Sequence, residues 1–550
     1  MRDEVTNCGG VGVEPAEAGA RSVYLETFGC QMNVLDSQLV RSSLTAAGYA
    51  FTDDWKSADV VLYNTCSVRE KAEQKVWSRL GRVGQHKAER PGVVLGVLGC
   101  MAEREGTEML RRHPQVDLLC GPGELDRVPL MVDNLLKTGG SGASGGSGGR
   151  EAEVALQGNT HRRSGTLSAA EDSLERLDLS RSFDPDGAGS AYVRITRGCN
   201  KFCTYCVVPH TRGAEVHRHP DAIVEECRRL VEAGAREITL LGQTVNHYHY
   251  DLAATAVVDG VAQPQVGAAV RNEGNGFAIT ERAAANGAGE TRELFSFADL
   301  LARVHDELPG LARLRFVTSF PRDFGDDILR VIAERPRICR YLHLPVQSGS
   351  DRVLAAMNRG YTVAEYVDLI DRARAILPDV EIASDIITGF PTETEEDHRA
   401  TLELIRRCRF KNSFIFKYSP RPGTAAIGRF DDDVPAEVKK RRNAELLAVQ
   451  TEVAAVEHGK YVGREVEVFV EKESGKPAER PVAAGTVELR WEAREGAAVS
   501  GEGGGVVQLS GRTGGDLIVC FDGDASLVGK TVSVKIDRAA PLTLFGELVG

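Results

Sequence analysis

The chain has 550 residues, and its 67 lysines and arginines against 79 aspartates and glutamates give a formal net charge of −12. Its 42% hydrophobic and 27% charged residues are the usage of a globular protein, and this length predicts three or four domains. The longest apolar run, near residues 93–100, is shorter than the ~18 residues of a membrane span, so we expect no membrane partner.

The 12 cysteines are too sparse for a disulfide scaffold of the kind found in short secreted chains. Residues 1–22 carry four acidic residues and no apolar segment, which argues against a secretory signal and against an Arg-rich transit peptide. We therefore expect reduced thiols, whose use depends on their spacing.

After an expected disordered lead at 1–20, residues 21–135 predict a first domain with a parallel sheet. Three apolar, β-branched runs, SVYLETFGC, ADVVLYNTC and GVVLGVLGC, end at Cys30, Cys66 and Cys100, and a helix-compatible stretch follows each. Ligands of such sheets bind at the carboxyl ends of the strands, where the three cysteines would converge. A single free cysteine is often only a small buried hydrophobe, but three at equivalent positions indicate a metal cluster.

A glycine- and serine-rich stretch at 138–150 has the composition of a linker, so we predict a flexible linker over 136–189. The second domain begins with a strand at Ala191–Thr196 that leads into YVRITRGCNKFCTYCVVPHTRG, which contains Cys199, Cys203 and Cys206 as C-x3-C-x2-C. Zinc-bound or structural thiols are the alternative, but a zinc ribbon would need a second C-x2-C pair and none follows. Three thiolates on one loop can hold a [4Fe–4S] cube with one iron open to a small molecule.

Strands and helices then alternate to residue 430, which predicts a parallel sheet rolled into a full or partial β/α barrel with the cysteine loop at its catalytic face. Residues 251–292 interrupt this pattern as an inserted loop rich in Ala, Gly and Asn. The elements expected within 190–430 are helices at Asp221–Ala233, Phe297–Glu307, Asp326–Glu334, Val363–Leu377 and Glu395–Cys408, and strands at Glu237–Leu241, Arg313–Thr318, Tyr341–Leu344, Glu381–Thr388 and Ser413–Tyr418.

A charged connecting helix is expected at 435–458, followed by an all-β module over 460–550. Its predicted strands are Glu465–Val470, Gly485–Leu489, Leu517–Phe521 and Thr531–Ile536. Small closed β-barrels commonly bind oligonucleotides, although pattern alone fits a packing domain equally well. The fold class is therefore mixed α/β with a small all-β barrel at the C-terminus.

Several long motifs carry a family resemblance. They are FGCQMNVLDSQ at 28–38, NTCSVREKAEQKVWSRL at 64–80, LGCMAER at 98–104, LLGQTVNHY at 240–248, LPVQSGSDRVLAAMNRGYT at 344–362 and SDIITGFPTETEED at 384–397. Together with the cysteine loop, they resemble the radical S-adenosylmethionine (SAM) methylthiotransferases, and within them the branch that acts on isopentenyladenosine in tRNA. The resemblance implies an N-terminal domain for an auxiliary cluster, a radical SAM partial barrel and a C-terminal TRAM β-barrel that binds RNA.

Two departures from the family pattern stand out. Phe320 occupies a position in SFP where the family usually has histidine, which removes any role for a ring nitrogen there. The insertions at 138–190 and 251–292 are unlike compact bacterial members and suggest a eukaryotic enzyme of the mitochondrion or plastid, with the cytoplasm as the alternative location.

The resemblance implies that a methylthio group replaces hydrogen at C2 of N6-dimethylallyladenosine at position 37 of tRNA anticodon loops. That C–H bond is unactivated, so a radical from SAM, and not a general base, is required. The implied cofactors are two [4Fe–4S] clusters and SAM, and the implied electron donor is of flavodoxin or ferredoxin type. Methylthiolation of another modified adenosine or of a protein residue is an alternative, and so is a non-catalytic iron–sulfur regulator that binds RNA.

The resemblance also implies contacts to SAM by the aromatic Tyr205, by Gly242 and Gln243 after the second barrel strand, and by Ser384 and Asp385 in a later strand. Satisfied turn or strand polar groups are the alternative for each of them. We expect basic residues to cluster for phosphate contacts. The candidate groups are Arg194, Arg197, Lys201, Arg212 and Arg218 near the cysteine loop, and Lys439, Lys440, Arg441 and Arg442 before the β-barrel.

Overall fold

A computed structural model gives the architecture of the chain. It describes residues 21–67, 70–137, 152–157, 167–181, 183, 189–255, 257–258, 261–266, 270–272, 277–279, 294–474 and 506–549. The expected lead at 1–20, the glycine-rich stretch at 138–150 and the expected strand Gly485–Leu489 lie outside these ranges.

The first domain is a six-stranded parallel sheet in the order β2-β1-β3-β4-β5-β6. Its strands are β1 Ser22–Thr27, β2 Ala50–Phe51, β3 Val60–Thr65, β4 Val94–Gly99, β5 Leu118–Cys120 and β6 Glu153–Ala155. Its helices are α1 Gln31–Ala46, α2 Glu70–Glu89, α3 Cys100–Glu105, α4 Glu108–Arg112 and α5 Val128–Lys137. Every residue of β3 and β4 is buried, because helices on both faces cover a parallel sheet.

The second domain is a partial barrel of six parallel strands, arranged as two three-stranded sheets. The strands are β7 Ser190–Arg194, β8 Glu237–Leu241, β9 Arg313–Phe316, β10 Tyr341–His343, β11 Glu381–Thr388 and β12 Asn412–Lys417. Side chains along these strands alternate, so that every second one packs against the helices and the others face the barrel interior. This architecture confirms the predicted fold class.

The helices of the second domain match the sequence pattern closely. They are α7 Val208–Thr211, α8 Pro220–Glu232, α9 Phe297–Glu307, α10 Asp326–Glu334, α11 Asp351–Ala356, α12 Val363–Ile376, α13 Glu395–Cys408 and α14 Ala425–Arg429. Helices α9, α12 and α13 each begin with a capping box, in which a serine or threonine and an acidic residue three positions later bond each other's backbone N–H.

Short strands complete the described parts of the inserted segment and the cysteine-loop hairpin. They are Thr196–Arg197, Val216–His217, His249–Tyr250, Val257–Val258, Val261–Ala262, Gln265–Val266, Val270–Asn272, Phe277–Ile279 and Phe295–Ser296. The expected loop at 251–292 therefore contains some regular structure where it is described.

The segment predicted as a flexible linker contains helix α6 at Leu167–Ser180. Three buried ion pairs join its end and the following residue to the barrel: Asp178 with Arg194 at 2.6 Å, Glu175 with Arg218 at 2.6 Å, and Arg181 with Glu226 at 3.0 Å. The linker prediction is thus wrong for this part, since composition does not reveal charges that pair across a sequence separation of tens of residues.

The connecting helix α15 spans Ala436–Gly459, and the C-terminal domain is a closed β-barrel in the order β13-β14-β15-β17-β16. The strands are β13 Glu465–Glu473, β14 Val507–Arg512, β15 Ile518–Gly523, β16 Thr531–Ala540 and β17 Thr543–Leu548. The sequence pattern missed β14 and β17. Val507 and Leu509 of β14 alternate with polar residues, whereas β17 lacks a clean alternation. No helix among the described residues has the length and apolar character needed to cross a bilayer.

The loop between β14 and β15 of the C-terminal barrel forms ion pairs with the second domain. Asp516, in a left-handed conformation with φ 63°, forms ion pairs with Arg315 of β9 and with Lys411 at 2.7 Å. Burial lowers the pKa of Lys411 to about 8, and Asp516 opposes this effect. Lys411 lies directly before β12, at the amino-terminal end of that strand.

Candidate metal-cluster site

The three cysteines of the first domain lie together at the carboxyl ends of neighbouring strands. Cys30 is the N-cap of α1 after β1, Cys66 follows β3, and Cys100 begins α3 directly after β4. The thiols of Cys30 and Cys66 hydrogen-bond, and Cys100 interacts electrostatically with Cys30. We call these three residues the strand-end triad.

Two glycines allow this close approach of the chain. Gly29 has a φ of +131°, and a Cβ there would lie 2.4 Å from the Cβ of Cys66. Gly99 has a φ of +87°, and its Cβ would lie 2.5 Å from Asn64 Oδ1. Any side chain at either position would push the strand ends apart.

A pair of buried asparagines fixes the geometry below the thiols. Asn33 donates to Asn64 Oδ1 at 3.1 Å and to the Thr65 carbonyl at 2.9 Å, while Asn64 donates to the Asn33 carbonyl at 2.8 Å. The Cys30 thiol donates to Asn33 Oδ1 at 3.2 Å. The motif residues between the cysteines are therefore the hydrogen-bonded support of the triad.

An arginine of the second domain reaches the strand-end triad. Arg212 donates to Asp36 of α1 at 2.7 Å, and its guanidinium also hydrogen-bonds the Cys100 thiol. The hydrogen bond from Cys66, with Arg212 as a further contribution, lowers the pKa of Cys30 to about 6. Burial instead raises the pKa of Cys100, against the effect of Arg212. The triad thus holds at least one thiol that ionises readily, which suits a metal ligand.

The other three cysteines occupy one loop between the strand Thr196–Arg197 and helix α7. We call Cys199, Cys203 and Cys206 the loop triad. Arg359 donates from Nη1 to the Cys203 sulfur at 3.4 Å. Burial raises the pKa of Cys199 well above its usual value and that of Cys206 to about 12. Buried thiols of this kind become thiolates when a metal supplies compensating positive charge, so the donor set fits an iron–sulfur cluster.

The two triads face each other across the boundary between the first and second domains. Cys206 interacts electrostatically with Cys100, and helix α3 packs against helix α7. Arg212, four residues beyond the start of α7, lies beside both Cys30 and Cys100. Two separate sequence signals therefore form one site.

Gly242 and Gln243, the predicted SAM contacts after the second barrel strand, have different surroundings. Gly242 is packed so tightly that a Cβ would lie 2.3 Å from Thr196 Cγ2, which explains the glycine by packing. Gln243 Oε1 is buried and accepts no hydrogen bond from a described residue, which fits a contact with SAM. The Tyr205 ring packs against core residues between Cys203 and Cys206, and burial raises the pKa of its hydroxyl well above its usual value.

The two candidates in the later strand face opposite sides of β11. Ser384 Oγ donates to the Leu344 carbonyl at 2.9 Å and accepts from Val346 N at 3.0 Å, and the residue is fully buried. These bonds account for Ser384 by strand bridging, and its contact with SAM stays a prediction. Asp385 is partly exposed and its Oδ1 lies 3.2 Å from His343 Nε2.

Cationic side chains surround the ring of Phe320. The Arg359 guanidinium is 4.5 Å and the Lys201 ammonium 5.3 Å from its ring centroid, and Tyr361 packs edge-on at 5.9 Å. An aromatic face in place of an imidazole accommodates these positive charges without competing for their hydrogen bonds. Since Arg359 also contacts Cys203, Phe320 supports the loop triad through packing.

The expected basic surface beside the cysteine loop is wrong in its main members. Arg194 and Arg218 pair with acids of α6, Arg212 pairs with Asp36, and Lys201 pairs with Asp323 at 2.5 Å. All four side chains are buried to more than nine-tenths. Arg212 joins the first and second domains, Arg194 and Arg218 hold helix α6, and Lys201 pairs within the second domain. These buried charges do not form a surface for RNA.

The second basic run, at 439–442, is also only partly exposed. Lys439 and Arg442 are buried and pair with Asp432 and Glu393 respectively, while Lys440 and Arg441 are exposed. On a helix, neighbouring residues point in different directions, so a run of four charges cannot form one patch.

Sequence reasoning missed the roles of Arg359 and Phe202. Arg359 lies in the motif MNRGYT, which served only for the family resemblance. Phe202 in the cysteine loop has a φ of 49° and is 52% exposed, and the Asn358 side chain donates to its carbonyl at 3.0 Å. It borders a cavity of about 390 Å³ that is also lined by His210 and Arg429.

Three domain families match successive parts of the chain. Residues 22–121 match the "Uncharacterized protein family UPF0004", residues 193–405 match the radical SAM superfamily, and residues 499–549 match the TRAM domain. A solved structure of the radical SAM methyltransferase TsrM from Kitasatospora setae is 15% identical, covers 74% of this chain and 77% of that chain, and has a TM-score of 0.45.

Similar proteins match almost the whole chain. Proteins named tRNA-2-methylthio-N(6)-dimethylallyladenosine synthase are 41% identical in Rhodopirellula baltica over 96% of this chain and 95% of that protein, and 37% identical in Syntrophotalea carbinolica over 96% and 100%. The same name applies to a protein of Paracoccus denitrificans, 37% identical over 97% and 98%. These relatives are bacterial and lend no support to an organellar origin. The chain belongs to the tRNA-2-methylthio-N(6)-dimethylallyladenosine synthase family.

Proposed function

We propose that the chain replaces the C2 hydrogen of N6-dimethylallyladenosine in tRNA anticodon loops with a methylthio group. Membership of the synthase family supports this reaction. The observation that carries the proposal is the meeting of the two triads, since helix α3, which begins at Cys100, packs against helix α7, which follows Cys206. A reaction that generates a radical at one centre and delivers sulfur from another needs both centres beside one substrate.

We assign one [4Fe–4S] cluster to each triad. Bound there with SAM, the clusters supply radical generation and the transferred sulfur. The protein's own contribution is positional: Cys199, Cys203 and Cys206 leave one coordination position open, and Arg359 donates to the Cys203 sulfur. Hydrogen bonds to ligand sulfurs and exclusion of water tune the reduction potential of such a site.

Around SAM, we assign Gln243 and Asp385 as the contacts with the best structural support. Gln243 Oε1, buried without a hydrogen bond from a described residue, accepts from the SAM amino group. Asp385, partly exposed beside His343, accepts from hydroxyl groups of the ribose. Gly242 keeps the chain close to Thr196, and Tyr205 packs the loop triad.

For tRNA, we assign Phe202 as a stacking surface for an unstacked base of the anticodon loop. Its ring is exposed at the mouth of the loop triad, and single-stranded bases are recognised by stacking on aromatic side chains. The TRAM domain at 499–549 supports an RNA partner. The exposed Lys440 and Arg441 add phosphate contacts further away.

Electrons come from a one-electron donor of flavodoxin or ferredoxin type in this proposal, since radical formation from SAM consumes a single electron. The location of the protein in a mitochondrion or plastid, or else in the cytoplasm, stays a prediction.

Nucleoside mass analysis tests the reaction directly. The protein is reconstituted anaerobically with iron and sulfide and incubated with SAM, reductant and tRNA that carries dimethylallyladenosine. We expect this nucleoside to decline and its 2-methylthio derivative to rise by the same amount. As the matched control, the same tRNA without the dimethylallyl group should stay unmodified.

Two other results would contradict the proposal in different ways. Formation of 5′-deoxyadenosine without a change in the nucleosides would indicate another modified adenosine or a protein residue as the substrate. If an iron-loaded protein formed no 5′-deoxyadenosine and no modified nucleoside, a non-catalytic regulator that binds RNA would be favoured.

A further inference from the structure

Three histidines outside the two triads form a buried cluster. His217, His247 and His249 each offer a ring nitrogen, and the three nitrogens lie within 4.8 Å of one another. The residues are 0%, 3% and 4% exposed. Ring centroids of His217 and His249 are 4.4 Å apart, and those of His247 and His249 are 5.2 Å apart.

The cluster joins two elements of the barrel. His217 ends the short strand that pairs with Thr196 directly before the cysteine loop. His247 and His249 come after β8. His247 ends a short 3-10 helix at Val245–His247, and His249 begins the strand His249–Tyr250. The sequence signals are HRHP at 217–220 and NHYHY at 246–250, neither of which resembles a standard metal motif.

The hydrogen bonds of two rings prepare them as ligands. His247 Nδ1 lies 2.8 Å from Glu215 Oε2, and His249 Nδ1 lies 2.8 Å from the His247 carbonyl oxygen. In each case Nδ1–H donates to an oxygen, so the lone pair is on Nε2. Metal-bound histidines show the same arrangement, in which a carboxylate or carbonyl fixes the tautomer and the orientation of the ring.

His217 supplies the observation that points to a ligand. It is fully buried, yet neither of its ring nitrogens has a hydrogen-bond partner among the described residues. A neutral imidazole has one donor and one acceptor, and buried polar groups normally have partners. A metal ion between the three rings would bind the lone pair of this histidine.

The electrostatics of the cluster fit a cation bound by neutral ligands. Burial, and then the neighbouring His249, lowers the pKa of His217 well below its usual value, and burial lowers the pKa of His249 to about 4. Both rings are therefore neutral at physiological pH. Glu215 is the acid next to the rings, while the nearby Lys201 is paired with Asp323 at 2.5 Å.

We propose that His217, His247 and His249 bind one zinc ion, with Glu215 as the residue that orients His247. Zinc–imidazole bonds of about 2.0 Å place nitrogens about 3.3 Å apart on a tetrahedral ion, so the rings need to move inward by less than about 1 Å. Three neutral imidazoles suit zinc better than the hard cations Mg²⁺ and Ca²⁺, which prefer oxygen ligands.

The zinc site would brace the cysteine loop from behind. Glu215 N donates to Asn200 Oδ1 at 3.1 Å, and its carboxylate raises the pKa of Cys199. Zinc would therefore tie the chain on both sides of the loop triad to the segment after β8. This site is separate from the triads, so its test does not depend on the proposed methylthiotransferase activity.

Metal analysis and X-ray absorption of the full-length protein test the site. Protein purified anaerobically from zinc-supplemented cells should contain about one zinc in addition to iron, and the zinc edge should show only nitrogen or oxygen neighbours near about 2.0 Å. His217→Gln and His249→Gln should each lower zinc at least fivefold while iron content is retained. His305→Gln, in α9, should leave zinc unchanged.

Several results would overturn the proposal. Wild-type protein without zinc, zinc retained in both variants, or a sulfur shell near about 2.3 Å would each do so, the last because zinc would then occupy cysteine sites. The absorption spectrum of the wild-type protein needs no variant, so the test stands even where a substitution prevents folding.

Discussion

The strand-end triad and the loop triad each consist of three cysteines, but different levels of structure bring the three thiols together. Cys199, Cys203 and Cys206 belong to one short loop, so the local chain alone brings their thiols together. Cys30, Cys66 and Cys100 come from three strands, and only the complete parallel sheet brings them together. The loop triad is thus a local motif with a buried environment, and the strand-end triad is a product of the fold.

The two triads also differ in how readily their thiols ionise. The hydrogen bond from Cys66 and the nearby Arg212 favour the Cys30 thiolate, whereas burial disfavours thiolates at Cys199 and Cys206. Ionisation of the loop triad depends more strongly on the bound metal. One protein can therefore form two similar sets of cysteine ligands, one from a short loop and one from three strands that are distant along the chain.

The largest effect is expected at the loop triad. Cys199→Ala should remove about four of eight irons and abolish both 5′-deoxyadenosine formation and methylthiolation, because the open coordination position is lost. Iron analysis and chromatography of the products measure this. Cys227→Ala, a buried cysteine of α8, is the matched control and should keep its iron. A Cys199 variant with activity would refute the assignment.

At the strand-end triad, Cys66→Ala separates the two functions. We expect a loss of about four irons and of the methylthio product, while 5′-deoxyadenosine formation is retained, because the loop triad forms without the sheet ends. If this variant also lost all cleavage of SAM, the two sites would be structurally dependent, and the contrast between local and assembled triads would fail.

Arg212 tests the contact between the triads. Arg212→Met should lower methylthiolation about 10- to 100-fold, as is typical when a partner of metal ligands is removed, and should destabilise the fold by about 3–5 kcal/mol because Asp36 remains buried without its partner. Denaturant unfolding and product analysis measure the two effects. The double variant Asp36→Asn/Arg212→Met should regain stability but not activity; recovery of both would indicate a purely structural ion pair.

The smallest effect is expected at the rim. Phe202→Ala should raise the KM for tRNA about fivefold or more, from the loss of about 1 kcal/mol of base stacking, with iron content and SAM cleavage unchanged. Phe202→Tyr keeps the stacking face and should behave like the wild type. An unchanged KM in the alanine variant would remove this residue from the RNA contact.

Much of the fold was predictable because its elements are locally encoded. Helices Phe297–Glu307, Asp326–Glu334 and Glu395–Cys408 were predicted to the residue, since apolar periodicity marks all three and capping boxes begin the first and the last. Helix α6 was missed because its buried leucines and its ion pairs with Arg194 and Arg218 contact residues that are distant along the chain. The strand β17 was missed because it closes a barrel, which depends on register with distant strands.

The grouping of the cysteines into two sets of three is readable from the sequence, because their spacing and the strands before them are local properties. The roles of the charged residues emerge only from the folded chain. Arg212, Arg218 and Lys201 resemble an RNA-binding patch in sequence, but the fold buries them against Asp36, Glu175 and Asp323. Charge is a property of a residue, whereas its partner is a property of packing, so the −12 net charge could not identify the surface that meets RNA.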